Sequence, residues 1–225
     1  MEHQAAGGQG FGAQLTQQER NDLFRQGRPH RLPAGALLFL EATRSERVEV
    51  VISGQVKVFH TAEDGTEVFL AVRGPGDLVG EFAAIDGQPH SASVSAMEPV
   101  EVVTIKVPDF TAFLQAHPRI MWLLLRTLTG RLRDADRKRA EFGVYDTLAR
   151  VACRLVELAD RFGEPTESGV RITLRLTREE LASWIGASRE AVTKALQRLR
   201  AGGCIQTEHR KIIVIDIERL RRLIR

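Results

Sequence analysis

The hydrophobic periodicity of this chain changes once, close to Pro108. Before this point apolar residues recur at every second position, as in Val48, Val50 and Ile52, and glycines separate the short apolar segments. After it, apolar residues recur at intervals of three and four, which is the helical period. A region of strands followed by a region of helices predicts an α+β fold.

The strand region covers about residues 36–106, and its many short segments predict a small barrel or a double-sheet roll. Asp64-Gly65 lies between two alternating segments and is a strong hairpin signal. Thr16 and Glu19 have the spacing of a capping box, which predicts a short helix ending near Gln26.

Charge is divided unevenly along the chain. Residues 1–110 contain 9 basic and 15 acidic residues, a net charge of −6, whereas residues 111–225 contain 23 and 14, a net charge of +9. An acidic half joined to a basic half indicates two tasks, the second with a polyanionic partner. The alternative is that the basic residues form an ordinary solvated surface.

A long helix is predicted from Pro118 to Phe142, after a short helix that Asp109 would cap. A heptad-like seam with spacings of three and four runs along it: Leu125, Leu128, Leu132, Ala135, Arg139 and Phe142. Because the other faces of the helix are polar, the seam is suited to packing against a second copy of the same helix. We therefore expect a homodimer. Packing of the seam on the chain's own roll is the alternative.

Two helices joined by a tight turn are predicted next. Thr177 and Glu180 form a second capping box, Gly186 ends the first helix, and Ser188 can cap the second. Both helices have an apolar inner face, formed by Leu181, Ala182, Ile185, Val192, Ala195, Leu196 and Leu199. These features together predict a helix-turn-helix that binds double-stranded DNA.

Further elements surround this pair of helices. We predict a helix at Tyr145–Phe162, a loop at Gly163–Gly169 and a strand at Val170–Leu174. Asp216 would cap a basic terminal helix. A hairpin before that helix has basic residues at its tip, and it is either a wing over the DNA backbone or a plain solvated turn. The tip residues are His209, Arg210 and Lys211.

The start of the second helix should enter the major groove. Arg189 can donate two hydrogen bonds to guanine O6 and N7, Glu190 can accept from cytosine N4, and Lys194 can donate to guanine. Glu190 is also favourable in the first turn because of the helix dipole. Phosphate contacts that fix the register are expected from Thr177, Arg178 and Ser188.

The order of a roll, a long helix and a C-terminal winged helix resembles the cAMP receptor protein/FNR family of bacterial transcription regulators. The resemblance covers about residues 15–225. Its sharpest matches are Gly76-Asp77-Leu78-Val79-Gly80-Glu81 and Gly186-Ala187-Ser188-Arg189-Glu190-Ala191-Val192.

The resemblance implies an N-terminal β-roll of the cyclic-nucleotide-binding type, a double-stranded β-helix, in which an effector binds. It also implies a dimer that reads a palindromic, TGTGA-like operator and acts on RNA polymerase. The expected boundaries are 1–14 for a flexible tail, 15–117 for the sensor roll, 118–142 for the dimerisation helix and 143–225 for the winged helix-turn-helix.

By position, Arg189, Glu190 and Lys194 match the three base-reading residues of the family. The third is usually Arg in the cAMP-responsive branch. Lys is a point donor without the rigid fork of Arg, so discrimination at that base should be weaker.

The resemblance also places an effector site. Gly80 and Glu81 match the residues that approach the phosphate and hold the ribose hydroxyl, and Ser91 matches a phosphate-contacting serine. The turn that follows would offer backbone N–H groups through Phe82 and Ala83. Arg131 aligns with a residue that pairs with the acidic pocket residue.

Other positions of that site depart from the family's pattern. His90 stands where cAMP-binding members have Arg, and a neutral imidazole offers at most one donor in place of a charged bidentate clamp. The adenine-contacting positions carry Ala135, which cannot hydrogen-bond a base, and Asp136, whose charge would face the same pocket as a phosphate. Ala42 replaces a glycine common in the family.

Two interpretations of the pocket follow. In one, a cyclic nucleotide such as cAMP is held mainly by backbone N–H groups and by Glu81. In the other, cAMP binding is weak or lost, and the roll senses a cyclic dinucleotide or a protein, or the dimer is constitutively active. We favour the second.

Several classes of protein are disfavoured. No apolar run approaches the ~20 residues of a membrane span, and the N-terminus has no apolar signal-peptide core, so we expect a cytoplasmic protein. Cys153 and Cys204 are too few for a disulfide framework or an iron–sulfur cluster, and no metal site is expected. We find no catalytic residues or enzyme motif. The remaining alternative is a cyclic-nucleotide-binding module that acts through protein partners.

Overall fold

The computed structural model describes residues 10–208 and 211–224. They fall into two compact units, one ending at Leu132 and the other beginning at Arg133. The α+β architecture predicted from the change of periodicity is confirmed.

The first unit is a β-roll with helices at both ends of its sequence and one short helix between its sixth and seventh strands. Its strands are β1 (Arg28–Leu32), β2 (Leu37–Phe39), β3 (Arg47–Ser53), β4 (Val56–Thr61), β5 (Glu67–Arg73), β6 (Leu78–Val79), β7 (Ser93–Ala96) and β8 (Val100–Lys106). Its helices are α1 (Gln17–Arg25), α2 (Glu81–Asp86), α3 (Val107–Ala116) and the first part of α4 (Pro118–Val144). The described strands form two antiparallel sheets, in the orders β1-β8-β3-β6 and β2-β7-β4-β5.

The β4–β5 hairpin has the turn that Asp64-Gly65 predicts. Gly65 adopts a positive φ of 82°, and the Asp64 carboxylate accepts a hydrogen bond from the Thr66 amide at 2.9 Å. The two strands pair from Thr61↔Glu67 onward. The hairpin prediction is therefore confirmed.

Buried and exposed residues do not alternate along strand β3 as the sequence suggests. Val48 and Val50 lie in one core cluster and Val51 in a second, so both faces of β3 are buried between its neighbours. Glu49 is buried as well, and it accepts hydrogen bonds from Thr104 Oγ1 at 2.7 Å and Arg47 Nε at 2.9 Å. Burial raises the pKa of the Glu49 carboxyl above its ordinary value.

The N-terminal segment differs from the expected tail. Residues 1–9 lie outside the described part of the chain, but Phe11–Gln14 form a 3₁₀ helix, and the side chain of Phe11 is fully buried in the core of the roll. The Gly12 amide donates to the Gly76 carbonyl at 2.7 Å. Hydrophobic burial thus anchors residues 11–14, for which the glycine content predicts a flexible tail.

Two helix boundaries also differ from prediction. Helix α3 begins at Val107 with Lys106 at the N-cap, and Asp109 lies in its first turn without acting as the cap. Helix α4 begins at Pro118 as predicted and ends two residues later than predicted, at Val144. In the first turns of α4, Ile120, Leu123 and Leu124 are buried in the core of the roll.

The second unit continues from α4 into a small α+β domain. It contains α5 (Thr147–Phe162), β9 (Gly163–Thr166), β10 (Gly169–Ile172), α6 (Arg178–Ile185), α7 (Arg189–Ala201), β11 (Ile205–Glu208), β12 (Lys211–Val214) and α8 (Ile217–Arg222). The strands pair in the order β11-β12-β10-β9.

The prediction of a loop at Gly163–Gly169 is wrong, because β9 pairs with β10 in an antiparallel hairpin. Helix α5 begins at Thr147, where Asp146 caps the Ala149 amide at 2.8 Å. Asp216 caps α8 as expected, accepting from the Arg219 amide at 2.8 Å.

Both cysteines have free thiols. Cys204 is buried as a small hydrophobic residue, whereas Cys153 is only half-buried. Desolvation of its thiol, with the nearby Glu141 charge, raises the pKa of Cys153 to about 11. The thiol is therefore protonated near neutral pH.

The position of Phe11 leads to a test of the first unit. Phe11→Ala should lower the free energy of unfolding by about 3–5 kcal/mol, because it removes a fully buried aromatic ring. Denaturant unfolding at one protein concentration measures the change. The exposed Gln18→Ala serves as the control, and equal stability of the two variants would show that residues 11–14 are not anchored.

Candidate DNA interface and effector site

The helix-turn-helix is fixed by capping at both of its helices. Thr177 and Glu180 form the predicted capping box of α6, with the Glu180 amide donating to Thr177 Oγ1 at 3.0 Å. Gly186 ends α6 in the left-handed region at φ 66°, and Ser188 Oγ accepts from the Ala191 amide at 3.2 Å to begin α7. The local signals therefore set the bend between the two helices.

The inner faces of α6 and α7 are buried as predicted. Trp184 is buried too, which the sequence pattern did not single out. Two cations lie over its ring, Lys138 Nζ at 5.4 Å and Arg154 Cζ at 5.6 Å from the ring centroid. These contacts join α6 to the last turns of α4 and to α5.

An ion-pair cluster supports this arrangement. Arg154 is buried, and its guanidinium donates to Glu141 Oε2 at 2.6 Å and to Glu157. Lys138 Nζ lies 2.8 Å from Asp134 and 3.2 Å from Glu157. Each buried charge has an opposite charge within hydrogen-bonding distance, which offsets the cost of removing it from water.

Phe142 packs against the turn of the helix-turn-helix, a contact that its place in the predicted seam does not suggest. Its ring lies directly against Gly186 in the turn of the helix-turn-helix, so that a Cβ at Gly186 would overlap the ring. The Arg150 guanidinium lies 5.3 Å from the centroid of the same ring. Phe142 nevertheless remains 53% exposed.

The predicted base-reading residues Arg189, Glu190 and Lys194 are all exposed on the first two turns of α7. Arg189 forms an ion pair with Glu179 of α6, with 2.9 Å between Nη1 and Oε1. Sequence reasoning missed Glu179, because the contact joins the first turns of two different helices. The only local signal was an acidic residue beside the capping box.

The predicted phosphate-contacting residues Thr177, Arg178 and Ser188 are exposed at the same helix ends. The Thr177 and Ser188 oxygens accept capping hydrogen bonds from backbone amides. Each hydroxyl keeps its own proton, which can be donated to a phosphate oxygen.

The predicted hairpin after α7 is present as β11 and β12, paired from Ile205↔Val214 to Glu208↔Lys211. Lys211 is exposed at the start of β12. The other two expected tip residues, His209 and Arg210, lie outside the described residues.

The predicted effector residues Gly80, Glu81, Phe82 and Ala83 form the start of α2. Gly80 has a φ of 83°, and a Cβ there would lie 2.9 Å from Cζ of Phe39, so this position requires glycine. Glu81 and Ala83 are buried, whereas Phe82 is exposed.

Glu81 is paired with Arg131 of α4, as the alignment of these positions implies. The Arg131 guanidinium also donates to the Leu78 carbonyl at 3.1 Å and lies 3.6 Å from Asp77. Burial raises the pKa of the Glu81 carboxyl, and the Arg131 charge opposes that shift. Asp77, which also accepts from the Gly74 amide at 3.0 Å, was not predicted to take part.

His90 is 6% exposed and packs on the Phe39 ring, with 4.3 Å between the ring centroids. Burial and the positive charge of Arg47 lower the pKa of His90, so its imidazole is neutral near pH 7. Its carbonyl accepts from the Ala42 amide at 2.9 Å. Ala42 has a φ of 60°, which is unusual for a residue with a Cβ.

The remaining predicted effector residues are Ser91, Ala135 and Asp136. Ser91 follows His90 and is exposed. Ala135 and Asp136 are exposed residues of α4 that belong to the second unit.

Within residues 10–208 and 211–224, no helix is long and apolar enough to cross a membrane. The same residues contain no group of three His, Cys, Asp or Glu side chains arranged to hold a metal ion.

Two family profiles match separate parts of the chain. The cyclic nucleotide-binding domain matches residues 29–117, and the Crp-like helix-turn-helix domain matches residues 149–223. The first range covers α3 and the strands of the first unit except for the first residue of β1, and the second covers most of α5 and all elements after it.

Relatives with both parts match most of the chain. A CRP-like cAMP-activated global transcriptional regulator from Mycobacterium tuberculosis is 36% identical over 200 residues, which is 89% of each chain. A cyclic AMP receptor protein from Thermus thermophilus is 30% identical over 174 residues, which is 77% of each chain.

Solved structures show the same fold. FixK2 from Bradyrhizobium japonicum has a TM-score of 0.77 at 22% identity, covering 88% of this chain and 96% of its own. The c-di-GMP responsive regulator CLP from Xanthomonas campestris has a TM-score of 0.75 at 24% identity, covering 88% and 99%.

The two domains, their order and the near full-length relatives agree with the motifs on which the sequence comparison rested. The family is one of transcription regulators and not of enzymes. This chain is a member of the cAMP receptor protein/FNR family, with a cyclic nucleotide-binding domain followed by a helix-turn-helix DNA-binding domain.

Proposed function

We propose that this regulator is a cytoplasmic homodimer that binds a palindromic, TGTGA-like operator and acts on RNA polymerase. The observation that carries this proposal is the exposed group of Arg189, Glu190 and Lys194 at the capped start of α7. On such a helix, arginine and lysine pair with guanine and glutamate with cytosine.

The flanking residues would hold the helix in register on the duplex. Thr177, Arg178 and Ser188 lie exposed at the N-termini of α6 and α7, where backbone dipoles also favour a phosphate. The exposed Lys211 of the wing hairpin would add a cation beside the DNA backbone.

The dimer would form through α4. The large apolar side chains that this helix exposes include Trp122 at 63%, Leu125 at 49% and Leu132 at 63%. Leu128, between the last two, packs partly against the core of its own unit, which is the alternative mode of packing that the sequence allowed. A second copy of α4 would cover the exposed side chains and bury their apolar surface.

The effector site is proposed to be degenerate for cAMP. Gly80 and Glu81 retain the turn and the carboxylate that the site needs, and Arg131 holds that carboxylate. His90 supports the proposal because it is buried, neutral and packed on Phe39, so it supplies no permanent charge to a phosphate. Ala135 supplies no hydrogen bond to adenine.

A different effector is then expected to control the roll, or the dimer is active without one. The candidates are a protein or a cyclic dinucleotide, whose phosphates would have to bind without the guanidinium clamp that His90 replaces. Relatives include both a cAMP-activated and a c-di-GMP responsive regulator, which supports a change of effector within this fold.

Base reading is tested on α7. Arg189→Ala and Glu190→Ala should each weaken operator binding by about 1–3 kcal/mol, because each removes a contact to a base edge. Arg178→Ala should weaken binding to all sequences about equally, since a phosphate contact carries no sequence information. Competition gel shifts with operator and random duplexes at fixed salt measure both effects. An unchanged operator preference in Arg189→Ala would show that this residue does not read a base.

The dimer is tested on α4. Changing both Leu125 and Leu132 to Glu should produce monomers, because like charges would be buried against their symmetry mates. Sedimentation reports the mass. Ile85→Glu, which changes an apolar side chain of similar exposure (52%) on α2, should leave the dimer intact. A dimeric mass for the double variant would refute the assignment.

The pocket is tested by calorimetric titration with cAMP. Relative to a site that has both the guanidinium and the adenine contact, this site should bind cAMP about 30- to 1,500-fold more weakly if the two effects add. The combined change His90→Arg with Ala135→Thr should recover much of the affinity and make DNA binding depend on cAMP. His30→Arg adds the same charge to exposed β1 and should recover nothing. Low-micromolar binding by the unchanged protein would contradict the proposal.

A further inference from the structure

The ion pair between Glu179 and Arg189 connects a proposed base-reading residue to the helix that precedes it. Glu179 Oε1 lies 2.9 Å from Nη1 of Arg189. Both side chains are exposed, at 59% and 64%, so the pair lies on the surface that would face DNA.

Glu179 and Arg189 each lie in the first turn of a capped helix. Glu179 is in the first turn of α6, which the Thr177–Glu180 capping box fixes, and a carboxylate there is favoured by the helix dipole. Arg189 is the first residue of α7, where Ser188 caps the helix and Thr193 Oγ1 donates to the Arg189 carbonyl at 2.8 Å. Capping therefore fixes the backbone from which both side chains extend.

The guanidinium can serve Glu179 and a base at the same time. Arginine has five N–H donors in a planar fork. Contact through Nη1 leaves the edge formed by Nε and Nη2 available, and this edge has two parallel donors that match guanine O6 and N7. Glu179 is thus placed to hold the plane of the guanidinium while its free edge meets the base.

The charge of Glu179 has a second effect. The carboxylate lies among residues proposed to contact phosphates, and it repels the DNA backbone whatever the sequence. Because this repulsion acts on every duplex, it lowers general DNA binding, whereas the orientation of Arg189 is what favours the operator over other DNA.

We propose that Glu179 is a specificity-determining residue that positions Arg189 on its guanine and lowers binding to non-operator DNA. The inference rests on the proposed DNA-reading role of Arg189. Glu179 itself is a positioning residue and need not touch a base.

The test compares Glu179→Gln with the unchanged dimer. The operator is first selected by the unchanged protein from a pool of random duplexes, and each guanine of a half-site is then replaced in turn. Loss of discrimination at one position in Arg189→Ala identifies the base that Arg189 reads. At that same position, Glu179→Gln should reduce discrimination by about two- to fivefold, as a surface ion pair allows. Its binding to random duplexes should become tighter.

Two controls separate the positioning of Arg189 from the general effect of removing a negative charge. Glu167→Gln removes the same charge from an exposed position between β9 and β10 and should leave the discrimination profile unchanged. In the Arg189→Ala background, Glu179→Gln should no longer alter discrimination, because the residue it positions is absent.

The outcomes distinguish this inference from the function on which it rests. If the unchanged protein prefers no duplex over the random pool, the proposed function fails. If it selects an operator and Glu179→Gln keeps full discrimination at the Arg189 base, the positioning role is refuted. Tighter binding to operator and random duplexes by the same factor would likewise refute it, since Glu179 would then act through charge alone.

Discussion

Glu81 is a carboxylate almost wholly removed from water, and the Arg131 guanidinium is what makes that burial tolerable. Removal of one member of a buried ion pair typically costs about 3–5 kcal/mol, because the other charge is left uncompensated. Arg131 also binds the Leu78 carbonyl and lies close to Asp77. The turn of the effector site, the loop before it and the first part of α4 are therefore held by one guanidinium.

The second unit uses the same principle with a larger set of charges. Arg154 is buried among the carboxylates of Glu141 and Glu157, and its guanidinium faces the Trp184 ring. Because Trp184 belongs to α6, this cluster ties the first helix of the DNA-binding motif to α4 and α5. The helix that carries the proposed base-reading residues, α7, is therefore held in place by this ionic cluster as well as by the apolar contacts between α6 and α7.

The parts that sequence reasoning predicts well are those encoded by neighbouring residues. The capping boxes at Thr16 and Thr177, the hairpin at Asp64-Gly65 and the bend at Gly186 each need only a few adjacent positions, and all are present. The failure at residues 11–14 involves a partner far away in the chain, because the Gly12 amide donates to the Gly76 carbonyl. Strand β9 was missed although its partner β10 follows directly, because its glycine and proline are typical of a loop.

The same distinction applies to the sites. The pairing of Glu81 with Arg131 was accessible only through the family resemblance, since fifty positions separate the two residues. Phe39 and Asp77 carried no local signal for their contacts with His90 and Arg131, and Glu179 was marked only by its place beside the capping box. The base-reading residues could be predicted because the motif around them specifies which helix turn is exposed.

The contact between Phe142 and Gly186 constrains how such regulators can diverge. The glycine is required twice, by its left-handed backbone and by the ring that lies against it. A relative with a side chain at this turn would need both a different bend and a smaller residue at the end of α4. The two positions are therefore expected to vary together during evolution, so that a substitution at the end of the long helix is accompanied by one in the DNA-binding motif.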